Sequence, residues 1–313
     1  KMLLRIAQGD AFGMACEFRK ANLSAALQFD RYIRHPEWGP EAGHYTDDTQ
    51  MSIAITECLT ARQLSSSGDR SLYLTKEALA EAFVQAYKRD PRPGYAVKFQ
   101  AFLDSVSSGA EFILKVNPES DKNGAAMRSV PLGVILHEPN LLKLAATQAS
   151  LTHNTEGGIT SSQIVALASR FAMHESAPLT EVFDYIGDWL HLSKLRWEGD
   201  PVVGPNLGML TARAAITLVA NEPSLLRIAK KALIWGGDTD SVLAIAWGIA
   251  SARMDGAELP AFFHRDLENG PYGRDYLAGL GESLMWYFGS PSFEFAAEFV
   301  VSKNAALPLL KKD

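Results

Sequence analysis

Thr46-Asp47-Asp48-Thr49 and Gly236-Gly237-Asp238-Thr239-Asp240-Ser241 nearly repeat one another about 190 positions apart, and each stands directly before a long apolar run. Met51, Ile53, Ala54, Ile55, Cys58 and Leu59 follow the first, and Val242 to Ala250 follow the second. Helices apolar on most sides belong to a core, so their first turns lie in or near the interior, where unpaired carboxylates are costly. Asp, Thr and Ser are also preferred helix caps. One cap needs one oxygen, however, and each cluster offers several with no Lys or Arg in it. A shared cation relieves the repulsion, and an all-oxygen donor set selects Mg²⁺, Mn²⁺ or Ca²⁺ over zinc. Sharing it would tie residues near 47 to residues near 239 within one body.

Composition excludes several classes. A formal net charge of −6, with no basic stripe, argues against a nucleic-acid surface. Glu57, Arg170 and Arg253 interrupt or end the most apolar stretches, so none reaches the ~20 residues of a membrane span. Lys1 to Asp10 is too short and polar for a signal peptide. Cys16 and Cys58 lie in apolar segments and read as buried thiols of a reducing cytoplasm. Nearly half of the 313 residues are apolar, enough for a substantial core.

Helical periodicity predicts helices over 51–64, 76–89, 97–114, 125–136, 140–150, 159–174, 179–192, 207–221, 223–235, 241–254, 259–268, 274–288 and 292–309. No stretch alternates as a strand, so the fold class is all-α. The breaks, such as Ser65-Ser66-Ser67-Gly68-Asp69 and Asp90-Pro91-Arg92-Pro93-Gly94, are ordinary turns rather than domain linkers, and residues 1–313 read as a single domain.

Small residues gather where helices are expected to begin, in Gly9-Asp10-Ala11-Phe12-Gly13, Asn123-Gly124-Ala125-Ala126 and Gly157-Gly158. Glycine there allows close approach to a ligand, and a helix N-terminus offers N–H groups to phosphate; the simpler reading is a turn that feeds a helix. His153, beside Asn154, is by itself as well explained by a hydrogen-bonded core role.

Taken in order, Gly9-Asp10-Ala11-Phe12-Gly13 with Glu17-Phe18, Tyr45-Thr46-Asp47-Asp48-Thr49-Gln50-Met51, Asn123-Gly124-Ala125-Ala126-Met127-Arg128 with Pro131-Leu132-Gly133, Thr152-His153, and Gly236 to Ser241 resemble the ADP-ribosylglycohydrolase family. That family includes the dinitrogenase reductase-activating glycohydrolase and the ADP-ribosylarginine and ADP-ribosylserine hydrolases. The resemblance spans most of the chain. It implies a single compact orthogonal multi-helix bundle holding two Mg²⁺ or Mn²⁺ ions. Thr46, Asp47, Asp48, Asp238, Asp240 and Ser241 match the metal ligands, with Ser241 in place of the commoner Thr. Asp47 and Asp48 match catalytic positions too. Asn123, Gly124, Ala125 and Met127 match a phosphate-side loop, and His153 a residue lining the ADP-ribose pocket. Asp10 matches an outer support, and Glu17 belongs to the same N-terminal motif without an assigned role.

The implied reaction is cleavage of the glycosidic bond between ADP-ribose and an acceptor, foremost ADP-ribosyl-arginine on a protein, by an activated water. Two departures bear on it. Where the nitrogenase-regulating relatives carry an acidic residue before a Gly as candidate base, this chain has Arg92-Pro93-Gly94, which leaves Asp90 as the nearest candidate. Where they carry an aromatic against the ligand, it has Asn206-Leu207-Gly208. Two other readings stay open: an N-glycoside hydrolase of a free nucleotide or nucleoside-like metabolite, and a non-catalytic ADP-ribose-binding or structural protein. No membrane or nucleic-acid partner is expected beside the ADP-ribosylated substrate.

Overall fold

The computed structural model describes residues 1–61, 74–192, 195 and 206–288. The principal helices are α1 (Met2–Gly13), α2 (Leu23–Ala26), α3 (Asp47–Thr60), α4 (Lys76–Arg89), α5 (Val97–Ser105), α6 (Gly109–Lys115), α7 (Gly124–Met127) and α8 (Glu138–Ala149). They continue with α9 (Glu156–His174), α10 (Val182–Leu190), α11 (Gly208–Asn221), α12 (Leu225–Trp235), α13 (Thr239–Ala250), α14 (Phe262–Arg265) and α15 (Arg274–Phe288). Among the described residues there is no strand, only isolated bridges between Glu119 and His153 and between Lys122 and Leu207.

The centre of the bundle is α13, every residue of which is buried, as its uninterrupted apolar run requires. Against it lies α1, and the two backbones come unusually close. A Cβ on Gly9 would stand 2.5 Å from the Leu243 carbonyl oxygen, and one on Gly13 would stand 2.4 Å from that of Thr239. Residues four apart share one helix face, so the glycine pair forms a groove for α13. Gly248 returns the favour by making room for Ile6. Around this pair one apolar cluster runs from Met2 to Phe288. Each fully buried Leu, Ile or Phe in it contributes about 1.5–3 kcal/mol.

Several expectations are corrected here. The periodicity gives no helix before residue 51 and the small residues of Gly9 to Gly13 read as a helix start, yet α1 is present and almost wholly buried, and Gly9 to Gly13 form its C-terminal end, where both glycines meet α13. The span 97–114 is two helices, because Ser108 accepts from the Glu111 N–H while Glu111 reaches back to the Ser107 N–H, a variant of the capping box that starts α6 afresh. The span 125–136 breaks at Arg128 into α7 and a 3₁₀ turn, Val130–Val134, around Pro131. The span 259–268 shortens to α14. The serine run near 65–69 and the helix expected over 292–309 lie outside the described residues. No helix among the described residues is long and apolar enough to cross a membrane.

Candidate metal centre

The first acidic cluster is part of its helix, not a prelude to it: Asp47 and Asp48 fill the first turn of α3, with Thr46 at the N-cap. Asp238 stands at the N-cap of α13 and Asp240 in its first turn. Neither the Thr46 nor the Asp238 side chain makes a capping hydrogen bond, so helix capping does not account for the excess oxygens. Gly236 and Gly237 both adopt positive φ, a turn that glycine makes without strain as the chain passes from α12 into α13.

The packing of α1 and α3 on α13 brings the clusters together. Carboxylate oxygens of Asp10, Asp48 and Asp240 all lie within 4.8 Å of one another, and so do those of Glu17, Asp238 and Asp240. Asp240 belongs to both groups. Asp10 and Glu17, from α1 and the turn after it, therefore stand among the acidic residues that sequence matching placed on α3 and α13.

Asp10 is completely buried and takes up hydrogen bonds from both Thr46 and Thr49: the Thr46 N–H at 3.0 Å to each oxygen, its hydroxyl at 2.8 Å, and the Thr49 N–H and hydroxyl at 3.1 and 2.6 Å. Its carboxylate thereby fixes the start of α3. Burial pushes the Asp10 carboxyl up to about 6, against the pull of those donors. Burial also pushes Glu17 up to about 7, aided by the charge of Asp238 and opposed by the Trp38 indole N–H, which donates to Glu17 Oε2 at 2.7 Å. Asp47, Asp48 and Asp240 are driven well above the usual carboxylate range by burial first and by their acidic neighbours second.

One atom decides what this arrangement suits. Asp48 Oδ1 is buried and has no hydrogen-bond partner, although the Thr46 hydroxyl donates to the other oxygen, Oδ2, at 3.5 Å. A buried, unpaired carboxylate oxygen facing other carboxylates is tolerable when a cation neutralises it. The donors are all oxygens, which fits a hard dication. The residues present thus fit a metal, and the close-set carboxylates that could hold one are those of Asp10, Asp48 and Asp240 and of Glu17, Asp238 and Asp240; Asp47, also expected as a ligand, stands outside both groups.

The expected ligand-side residues lie around this cluster. Asn123 Nδ2 donates to Asp238 Oδ2 at 3.0 Å and to Thr211 Oγ1 at 3.3 Å, so the turn before α7 is pinned to the acidic residues. Gly124 abuts His153, whose Cε1 would lie 2.8 Å from a Cβ there. Ala125 and Met127 are buried in α7. On the far side, Gly94 has φ +114° and a Cβ on it would fall 2.1 Å from Asp47 Oδ1, so the loop after α4 closes directly on Asp47. Asp90 stands outside both groups of close carboxylates. Its Oδ2 accepts from Arg92 Nε at 2.8 Å and Nη2 at 2.7 Å, and Arg92 in turn bonds Glu268 and stacks on Tyr45.

Sequence reasoning did not foresee Trp38 or Thr211 as supports. Nothing in the local sequence marks either one. Their partners are distant in sequence, and only the fold brings them within reach. His35 extends the Trp38 contact: it stacks on the indole at 4.0 Å, accepts the Glu37 and Trp38 N–H groups at Nδ1, and holds the Glu17 carbonyl through Nε2.

Residues 1–291 match the family model described as ADP-ribosylglycohydrolase. A protein named ADP-ribosylhydrolase ARH3 from Xenopus tropicalis is 29% identical over 191 residues, 57% of this chain and 51% of that protein, so the chain spans about half the length of this relative. The human protein of the same name is 26% identical over 286 residues, 73% of this chain and 76% of its own. An uncharacterized protein of Archaeoglobus fulgidus is 23% identical over 308 residues, 90% of this chain and 94% of its own. A solved ADP-ribosylglycohydrolase-related protein complex shares the fold, with TM-score 0.65 at 22% identity over 90% of this chain and 95% of that one.

Proposed function

Because this chain belongs to the ADP-ribosylglycohydrolase family, a family of hydrolases, we propose that it cleaves the glycosidic bond joining ADP-ribose to an acceptor with two Mg²⁺ or Mn²⁺ ions held between α3 and α13. The observation that carries the reading is the orphaned Asp48 Oδ1 at the junction of the two acidic clusters. Bound metal would orient the ribose hydroxyls and lower the pKa of the attacking water.

The chain's own residues do the rest. Asp10 holds Thr46 and Thr49 so that Asp48 stands with Asp240. Asn123 bonds Asp238 and so sets the turn that receives the diphosphate in register with the acidic residues. Glu17, half-buried, is the general base in this reading: its carboxylate stands with Asp238 and Asp240 and takes the proton of the water as that oxygen bonds the anomeric carbon and the acceptor departs. Asp90, the candidate from sequence, serves in this reading to anchor Arg92.

Arginine is the acceptor we place first. An acidic cluster containing no Lys or Arg attracts a guanidinium, which leaves as the neutral guanidine and takes up the proton that Glu17 has received, becoming a stable cation. The test is release of ADP-ribose from ADP-ribosylated arginine and serine peptides, in Mg²⁺, Mn²⁺ or EDTA. Metal-dependent release, fastest from arginine, is expected; absence of release from every substrate in every metal would overturn the reading.

A further inference from the structure

Arg128 is a buried cation, 1% exposed, with no carboxylate partner among the described residues. Its Nε donates to Gln148 Oε1, its Nη2 to the Gln148 carbonyl at 3.0 Å and to Thr152 Oγ1 at 2.8 Å, and its guanidinium lies over the Phe83 ring at 4.5 Å. Burying a charge this way is expensive, and joining α7 to α8 through Gln148 is only part of what the arrangement does. The other part is directional. A guanidinium only donates, so Thr152 Oγ1 must accept from it. The hydroxyl's own proton then has one acceptor at hand, His153 Nδ1, 2.6 Å away. With Nδ1 accepting, the ring proton sits on Nε2.

The imidazole is gripped as well as protonated in one sense. Gly158 lies so close that a Cβ on it would stand 2.6 Å from His153 Cβ, and Gly124 meets the ring edge, with Nε2 3.1 Å from the position of a Cβ. Among the described residues no group accepts a hydrogen bond from Nε2, although His153 is only 8% exposed. The side chain therefore presents an oriented, unused N–H beside the Asn123–Gly124 turn, which itself is tied to Asp238.

We propose that Arg128 is a positioning residue, acting through Thr152 to hold His153 as the neutral tautomer whose Nε2–H donates to an oxygen of the bound ligand beside Gly124. The ligand half of this inference rests on the ADP-ribosyl reading of the site; the tautomer half does not. Burial and the Arg128 charge also hold His153 down to about 3, so the ring stays neutral throughout the physiological range.

The test is long-range ¹H–¹⁵N spectroscopy of the full chain labelled in histidine, combined with ADP-ribose binding in Mn²⁺. In the wild type, His153 should show an unprotonated Nδ1 and a protonated Nε2. Thr152→Val should shift the ring toward the other tautomer and weaken ADP-ribose binding about tenfold, the size of one lost hydrogen bond to an anionic group, while Mn²⁺ affinity holds. Thr152→Ser should restore the Nε2–H signature, and Arg128→Lys, which keeps the charge but loses the fork, should blur it. A wild-type proton on Nδ1, or a tautomer unmoved in Thr152→Val, overturns the relay. A shifted tautomer with ADP-ribose affinity unchanged overturns the ligand contact. Wild-type protein that binds no ADP-ribose would instead overturn the functional reading, with the spectra still deciding the relay.

Discussion

Asn123 Nδ2 donates to Asp238 Oδ2 at 3.0 Å, joining a turn near the middle of the sequence to the acidic end of the central helix. Such outer partners orient metal ligands, and their loss costs about 10- to 100-fold in metal affinity or activity. Asn123→Ala should therefore lower Mn²⁺ affinity or turnover by about tenfold or more, read by calorimetry and by ADP-ribose release. Both quantities unchanged would make the contact incidental.

Asp10 predicts a stability effect. An amide in its place would turn an N–H₂ toward the Thr46 and Thr49 donors, leaving buried groups unpaired. Asp10→Asn should destabilise the fold by about 2–4 kcal/mol in urea titration. A change below about 0.5 kcal/mol would mean that α3 does not need this anchor.

The metal-free protein should lose stability as pH rises. Asp10 and Glu17 have folded values near 6 and 7, above those of an unfolded chain, so between about pH 4 and 7 the folded state binds more protons than the unfolded one. Stability then falls as pH climbs through that window. In EDTA, melting temperature should decline from pH 5 to pH 8, and Mg²⁺ or Mn²⁺ should remove the decline by neutralising the cluster. A flat profile in EDTA would show that the carboxylates are not mutually strained.

Two carboxylates compete for the role of base, and two substitutions separate them. Glu17→Gln should lower kcat by about 10²-fold or more, and Asp90→Asn should mainly loosen the Arg92 loop that closes on Asp47. The reverse ranking of kcat would return the base to Asp90.

Much of this was legible in the sequence. The acidic repeats and the apolar runs behind them announced a buried oxygen-rich site, and α4 was bounded correctly by its amphipathic period. The structure of the N-terminal segment was not. Gly9 and Gly13 read as turn signals because their function, contact with the α13 backbone, depends on a partner more than two hundred residues away. A separation of 88 residues likewise hid Thr211 behind Asn123. Asp90 was placed near the reaction by its neighbours in sequence, but Arg92, two residues on, supplies an ion pair that a linear reading does not weigh against a metal.

The central claim is that the clusters on α3 and α13 hold metal as one site. Calorimetric titration of Mn²⁺ into wild-type, Asp48→Asn and Asp240→Asn proteins tests it most directly, since the two residues come from opposite clusters yet their carboxylates share one group with Asp10. Each substitution alone should weaken binding by at least about tenfold and remove nearly all ADP-ribose release, as expected when ligands are lost from a common set. Wild-type Mn²⁺ affinity and activity in either variant would contradict a shared site.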